Sequence, residues 1–233
     1  MKSTGADAIQ EIDFIKWREV LCKGTLAFQL HLTDNQIQRF YMHARALLQW
    51  SKRVNLTAIR DPYEIAVKHF VDSLVPVVFF TPRSRVLDMG SGGGFPGLPL
   101  KVLHPAIDLT MVDAVRKKTS FIQHVARQLK LDHTRALHMR VENLARQPSV
   151  AEFDTIVCRA FSSLSFSVEH ALPILSAGGQ IVLWKGHLPE ADMGALQNLL
   201  SASHRFFSVS THVYKLPIIG AHRTIVIIKE QLT

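Results

Sequence analysis

The stretch VLDMGSGGGFPGLPLKVLHP, residues 86–105, decides the fold. Its apolar opening reads as a short buried strand that carries an acid, Asp88, near its end. Five of the chain's 12 glycines follow within eight positions, at Gly90, Gly92, Gly93, Gly94 and Gly97. Pro96 and Pro99 suit the first turn of a helix, and the spacing ends that helix before Pro105. A strand, a glycine loop and a helix in this order form a half-built ligand site. Glycine tolerates positive φ and lets backbone N–H groups approach a ligand closely, and the helix N-terminus favours a negative group. The loop is therefore expected to hold a nucleotide-like molecule beyond the C-terminal ends of parallel strands.

Working outward, the same alternation repeats. IDLTMVD (107–113) reads as a second strand, and the helix after it carries Phe121, Val125 and Leu129 at i+4 spacing. TRALHM (134–139) and FDTIVC (153–158) read as strands three and four. A helix is expected to end near Gly178 and Gly179, with QIVLW (180–184) as strand five. After a helix over roughly 190–202, FFSVSTHVYKL (206–216) and HRTIVIIKE (222–230) have no helix between them and should form an antiparallel hairpin. The expected fold is α/β and Rossmann-like, with a mainly parallel seven-stranded sheet closed by that hairpin. Ahead of it, residues 7–75 read as helical. In TDNQIQRFYMHARALLQW (33–50), Thr33 and Gln36 have capping-box spacing, and Ile37, Phe40, Tyr41, Ala44, Leu47 and Leu48 mark one buried stripe. The expected organisation is a helical extension, 1–78, docked on a ligand-binding domain, 79–233.

The bulk composition narrows the function. At 233 residues and 47% apolar, the chain can bury a full core. Its longest apolar run, Leu74 to Phe80, contains Pro76 and is far short of the ~20 residues needed to cross a bilayer. MKSTGADAIQEIDF at the N-terminus carries three acids and no apolar stretch, so no secretory signal is expected, and Cys22 and Cys158 form no CxxC pair. A cytoplasmic monomer is expected. The net charge of +8 is unevenly spread: residues 35–60 and 114–131 contain no acid. The first segment holds Arg39, Arg45, Lys52, Arg53 and Arg60, and the second Arg116, Lys117, Lys118, Arg127 and Lys130. Two such faces suit a polyanion, nucleic acid above all.

The loop fits two ligand classes. Gly92, Gly94 and Gly97 satisfy the G-x-G-x-x-G of dinucleotide sites, and Asp113 ends the second strand about 20 residues on, as a ribose-binding acid does. Gly90, Gly92 and Gly94 also satisfy the G-x-G-x-G of S-adenosylmethionine-dependent methyltransferases, with Asp88 two residues ahead. Asp88 and the closing hairpin favour the class I methyltransferase over an NAD(P)-dependent oxidoreductase. A non-catalytic RNA-binding or ribosome-assembly module with a relic loop remains an alternative of another kind.

Longer motifs are more specific. NLTAI (55–59), HFVDS (69–73), DMGSGGGFPGLPL (88–100), VDAVRKKTSFI (112–122), RVENL (140–144), FDTIVCRAFSSL (153–164) and WKG (184–186) follow one another in the order of the RsmG (GidB) family, which the chain resembles. The resemblance implies methylation of a guanine at N7, at position 527 of 16S ribosomal RNA, with S-adenosyl-L-methionine as cofactor. It further implies that Gly90, Phe95, Val141, Glu142 and Arg159 line the cofactor, alongside Asp88, Gly92 and Asp113 from the loop pattern. Arg159 otherwise reads as an ion-pair partner of Asp113 or Glu142.

Guanine N7 has a lone pair and no proton, so the reaction needs alignment rather than a general base, and no catalytic residue is assigned. No Asn/Asp-Pro-Pro-aromatic run follows the fourth strand, and Cys158 lacks the preceding proline of cytosine C5 enzymes, which leaves it a buried structural thiol. Arg116, Lys117, Lys118 and Lys185 are the expected RNA contacts near the cleft, widened by Lys52 and Arg53. His69 and Asp72, at i and i+3, read as a helix-surface or interdomain hydrogen-bonding pair rather than metal ligands. Trp50 and Trp184 read as core or interface residues.

Overall fold

Side-chain caps set the N-terminal helices. The computed structural model describes residues 12–147, 152–159 and 163–232, so residues 7–11 of the expected helical segment and Ala160–Ser162 of the RAFSS stretch lie outside it. Asp13 caps α1 (Phe14–Leu26) by accepting from Ile15 and Lys16 N–H. In α2 (Asp34–Ser51) the capping box is present, with Thr33 Oγ1 accepting from Gln36 N–H at 3.3 Å and Gln36 Oε1 accepting from Thr33 N–H at 2.9 Å. Of the α2 stripe, Ile37, Phe40, Ala44 and Leu47 are buried and Tyr41 and Leu48 pack beside them. Asp61 caps α3 (Pro62–Ile65), which runs on through a π turn (Ala66–Val71) into α4 (Asp72–Leu74).

The remaining elements are β1 (Arg85–Met89), α5 (Gly97–Leu103), β2 (Asp108–Asp113), α6 (Arg116–Gln128), β3 (Thr134–His138), β4 (Phe153–Arg159), α7 (Leu164–Ala171), β5 (Leu175–Lys185), α8 (Glu190–Ala202), β6 (Phe207–Lys215) and β7 (His222–Glu230). The sheet has seven strands in the order β3-β2-β1-β4-β5-β7-β6. Strands β1 to β5 pair in parallel, and β7 runs antiparallel to both β5 and β6, which is the predicted hairpin. The chain order reverses between β1 and β4, so a crevice opens beyond their C-terminal ends.

The helix after β4 ends earlier than expected. α7 stops at Ala171 and a 3₁₀ turn (Leu172–Ile174) follows, because Pro173 has no N–H to continue the ladder. Gly178 and Gly179 belong to β5, where the β4–β5 register shifts and Gly178 takes φ 72°.

Alternating strand residues feed two cores. Val86, Leu109, Met111, Val157 and Val182 face one way, against α5, α6 and the extension's Trp17, Phe40, Leu47 and Phe70. Leu87, Met89, Val112, Ile156 and Leu183 face α7 and α8. The extension therefore shares a core with one sheet face, and its segment 66–74 lies against the crevice end of the sheet.

Candidate cofactor and acceptor site at the strand ends

Asp88, in β1, is fully buried. Its Oδ2 accepts from Gly97 N–H at 3.0 Å, while Oδ1 has no partner among the described residues. Burial pushes this carboxyl up to about 7, although the Gly97 N–H, Ser91 and the Arg159 guanidinium all pull it down. A Cβ on Gly97 would stand 2.7 Å from that Oδ2 and 2.9 Å from Met111 Cε, so only glycine lets α5 begin against the strand. Gly90 and Gly92 take φ 74° and 53° in the loop between them.

Asp113 ends β2 and bridges two loops. Its Oδ2 accepts from Gly92 N–H at 3.0 Å and its Oδ1 from Val115 N–H at 2.8 Å. An ionised carboxylate has about four lone-pair sites, so each oxygen can still accept from a ribose hydroxyl. Lys118 Nζ lies 3.9 Å from Oδ2. Val141 and Glu142 open the 3₁₀ turn after β3, Val141 buried and Glu142 exposed, and Met139 N–H donates to Asp113 O at 3.2 Å. The three strand ends are thus tied together around one space.

Phe95 has little free face. It stacks on His43 (centroids 4.6 Å apart) and His69 (4.7 Å), is 5% exposed, and carries the Arg159 guanidinium 5.3 Å from its centre. His43, from α2, is not distinguishable in the sequence from its stripe. It lies 2.8 Å from Gly93 O, and burial holds its imidazole down to about 4, so it is neutral and its Nε2–H donates to the glycine loop.

Arg159 ends β4, but its ion-pair partner is neither Asp113 nor Glu142. Nη1 donates to Asp72 Oδ2 at 3.2 Å and to Lys68 O at 3.0 Å, and Nη2 donates to His69 Nδ1 at 2.9 Å. Asp72 is buried. Tyr214 O–H from β6 donates to its Oδ1 at 2.6 Å, Arg223 Nε from β7 lies 3.9 Å from that oxygen, and Trp184 Nε1–H from β5 donates to its carbonyl at 2.8 Å. Burial, and Asp72 after it, push the Tyr214 hydroxyl far above the usual tyrosine range. His69 and Asp72 therefore bond across to the strands of the sheet and are not helix-surface residues. Their partners on β5, β6 and β7 leave no signal in the sequence.

Of the expected RNA contacts, Arg116 and Lys117 are exposed at the start of α6, Lys118 turns toward Asp113, and Lys185 is half-buried at the end of β5. Lys52 and Arg53 are exposed after α2, next to Trp50, which packs edge-on against Phe121 at 5.5 Å. Cys158 is buried with Sγ 3.6 Å from Ser167 Oγ, as expected of a structural thiol.

Known proteins share this fold. A solved structure of magnesium protoporphyrin IX methyltransferase from Synechocystis, with S-adenosylmethionine bound, superposes with TM-score 0.56 at 16% identity, covering 86% of this chain and 99% of that one. The YcgJ protein of Bacillus subtilis superposes with TM-score 0.55 at 15% identity over 71% and 100%. These likenesses concern the fold. In sequence, the ribosomal RNA small subunit methyltransferase G of Geotalea uraniireducens is 40% identical over 217 residues, 91% of this chain and 96% of that protein. The protein of the same name from Staphylococcus aureus is 33% identical over 215 residues, 91% and 90%. The family model for rRNA small subunit methyltransferase G (GidB) matches residues 36–218, a span that takes in most of α2, the glycine loop, Asp113, and Arg159 with its partners Lys68, His69 and Asp72. The chain belongs to the rRNA small subunit methyltransferase G family.

Proposed function

We propose that the protein transfers a methyl group from S-adenosyl-L-methionine to N7 of a guanine in 16S ribosomal RNA, the guanine at position 527. The observation that carries this reading is the family match, whose span contains the glycine loop, Asp113, Val141, Glu142, Arg159, His69 and Asp72. The donor set fits the cofactor: Asp113 retains acceptor capacity for ribose hydroxyls, Val141 and Glu142 flank the place for an adenine, and Arg159 suits the carboxylate of the methionine part. When bound, the cofactor supplies an electrophilic methyl on a sulfonium.

The chain's own residues orient and enclose. N7 needs no base to deprotonate it, so rate comes from holding acceptor and methyl in line with water excluded. N7 lies in the deep, narrow major groove of A-form RNA, so the guanine must be presented unpaired or extruded. In this reading Arg116 and Lys117, exposed at the start of α6, hold neighbouring phosphates, with Lys185 at the end of β5. Cytoplasmic 16S RNA, free or in the subunit, is the substrate this implies.

Thermal shift measurements test the cofactor half of the reading. S-adenosylhomocysteine should raise Tm and NADH should not. Gly90→Asp, at a φ of 74°, should abolish both the shift and methyl incorporation into RNA. Stabilisation by NADH alone would return the loop to the dinucleotide reading, and RNA binding with no methyl transfer would leave a binding module.

A further inference from the structure

The extension contains a π turn, and it sits against Arg159. In an α-helix Asp72 N–H would donate to Lys68 O; in the π turn it donates instead to Val67 O and His69 O. The carbonyl of Lys68 thereby loses its α-helical donor, and Arg159 Nη1 donates to it at 3.0 Å. The same turn presents His69 Nδ1 and the Asp72 carboxylate to the same guanidinium. Three acceptors at positions 68, 69 and 72 converge on one side chain from another part of the fold.

A guanidinium has five N–H donors and does not lose its proton, so His69 Nδ1 must be the bare, accepting nitrogen. Its Nε2–H then donates to Thr57 Oγ1, 2.8 Å away. Two partners thus fix one neutral tautomer. Burial first, and Arg159 second, hold the imidazole well below its ordinary range. The charged and titratable groups around it are Arg159 from β4, His43 from α2 and Lys68 on its own turn, with Phe95 stacked on the ring. The three contacts use three of the five donors of Arg159. Its Nε–H and its second Nη2–H have no partner among the described residues, and Arg159 lies close enough to Asp88 to act on it electrostatically.

We infer that the π turn at 66–71 is built to position Arg159, with His69 and Asp72 as positioning residues that aim its remaining two donors at the carboxylate of the cofactor. The inference rests on the reading that Arg159 faces the cofactor. It explains why NLTAI, HFVDS and the arginine after FDTIVC, widely separated in the chain, converge: Thr57 fixes His69, His69 and Asp72 fix Arg159. Tyr214 and Arg223 anchor Asp72 from the C-terminal hairpin, so the clamp spans the sheet from β4 to β6.

Two isosteric variants separate positioning from packing. His69→Asn places an amide oxygen near the Nδ1 position and keeps the acceptor for Arg159. His69→Gln places its amide near the Nε2 position and leaves Arg159 without that acceptor. The measurement is S-adenosylhomocysteine affinity by titration calorimetry, with Tm alongside and KM for cofactor and RNA measured separately. His69→Gln should weaken S-adenosylhomocysteine about tenfold and raise the cofactor KM similarly, with the RNA KM unchanged, while His69→Asn should stay within about threefold of wild type. Should His69→Gln fail to fold, Asp72→Asn, which removes the charge facing Arg159 and one of the two oxygens that accept from Arg159 and Tyr214, carries the same expectation. Equal affinities for the two His69 variants, or losses that merely follow Tm, would overturn the inference. If the wild-type protein itself does not bind S-adenosylhomocysteine, the cofactor reading fails, and the inference fails with it.

Discussion

Asp88 shows most plainly what a single residue does here. Motif spacing identifies it, and the physics of its site can be read only from the fold: full burial, one N–H partner and one bare oxygen. Its carboxyl titrates at about 7 in the folded chain against 3.8 ordinarily, so the folded state holds a proton there that the unfolded state gives up. Ionising it opposes folding: its contribution to stability is full below about pH 4 and is lost as pH rises through about 7. At about 1.4 kcal/mol for each pH unit between those two values, the loss amounts to at most about 4 kcal/mol. Asp88→Asn should therefore flatten the wild-type decline in stability between about pH 5 and pH 8, measured by urea unfolding at both values. Parallel curves for the two proteins would mean that Asp88 does not titrate in that window. Asp113 is legible in the same way, from its place at a strand end. His43 is not, because a histidine on a buried helical stripe looks like any other packed residue until the carbonyl it meets is known.

Among the elements, those with a strong local signal are legible in the sequence. The capping box of α2 and the seven strands need only spacing and periodicity. The end of α7 is not so legible, because Gly178 and Gly179 look like a helix stop, whereas Pro173 ends the helix earlier and the glycines shape a bulge in β5. The π turn leaves no trace in the sequence, since one extra residue in a helix shows only in which carbonyl each N–H meets. Its consequence can be measured. Asp72 is 3% exposed and is the ionic partner of Arg159, so Asp72→Ala leaves a guanidinium without its counter-ion and the Tyr214 hydroxyl without its acceptor. Removing one side of such a buried pair costs about 3–5 kcal/mol. Thermal unfolding should show a Tm lower by about 10 °C, at about 2–4 °C per kcal/mol for a chain of this size. A change of a degree or less would show that Asp72 contributes little to the fold.

At the scale of the whole molecule, charge can be read from the sequence but its arrangement in space cannot. The basic excess falls in residues 35–60 and 114–131, and the fold brings α2 and α6 together through Trp50 and Phe121 on the face the extension covers. Arg116 and Lys117 stand exposed at the start of α6, one residue beyond the loop that Asp113 holds. Among the described residues no helix is long and apolar enough to cross a membrane. If Arg116 and Lys117 each contact an RNA phosphate, replacing both with alanine should reduce the slope of log K against log salt by about two. An unchanged slope would remove them from the footprint. Methyl transfer to one guanine is tested most directly with labelled S-adenosylmethionine. Small ribosomal subunits, and separately deproteinised 16S RNA, from a host lacking this methylation would be incubated with the enzyme and the labelled base mapped. Label at N7 of guanine 527 alone is the predicted result. Label at another base or at another atom of that guanine, or none on either substrate by a protein that binds the cofactor, would contradict it.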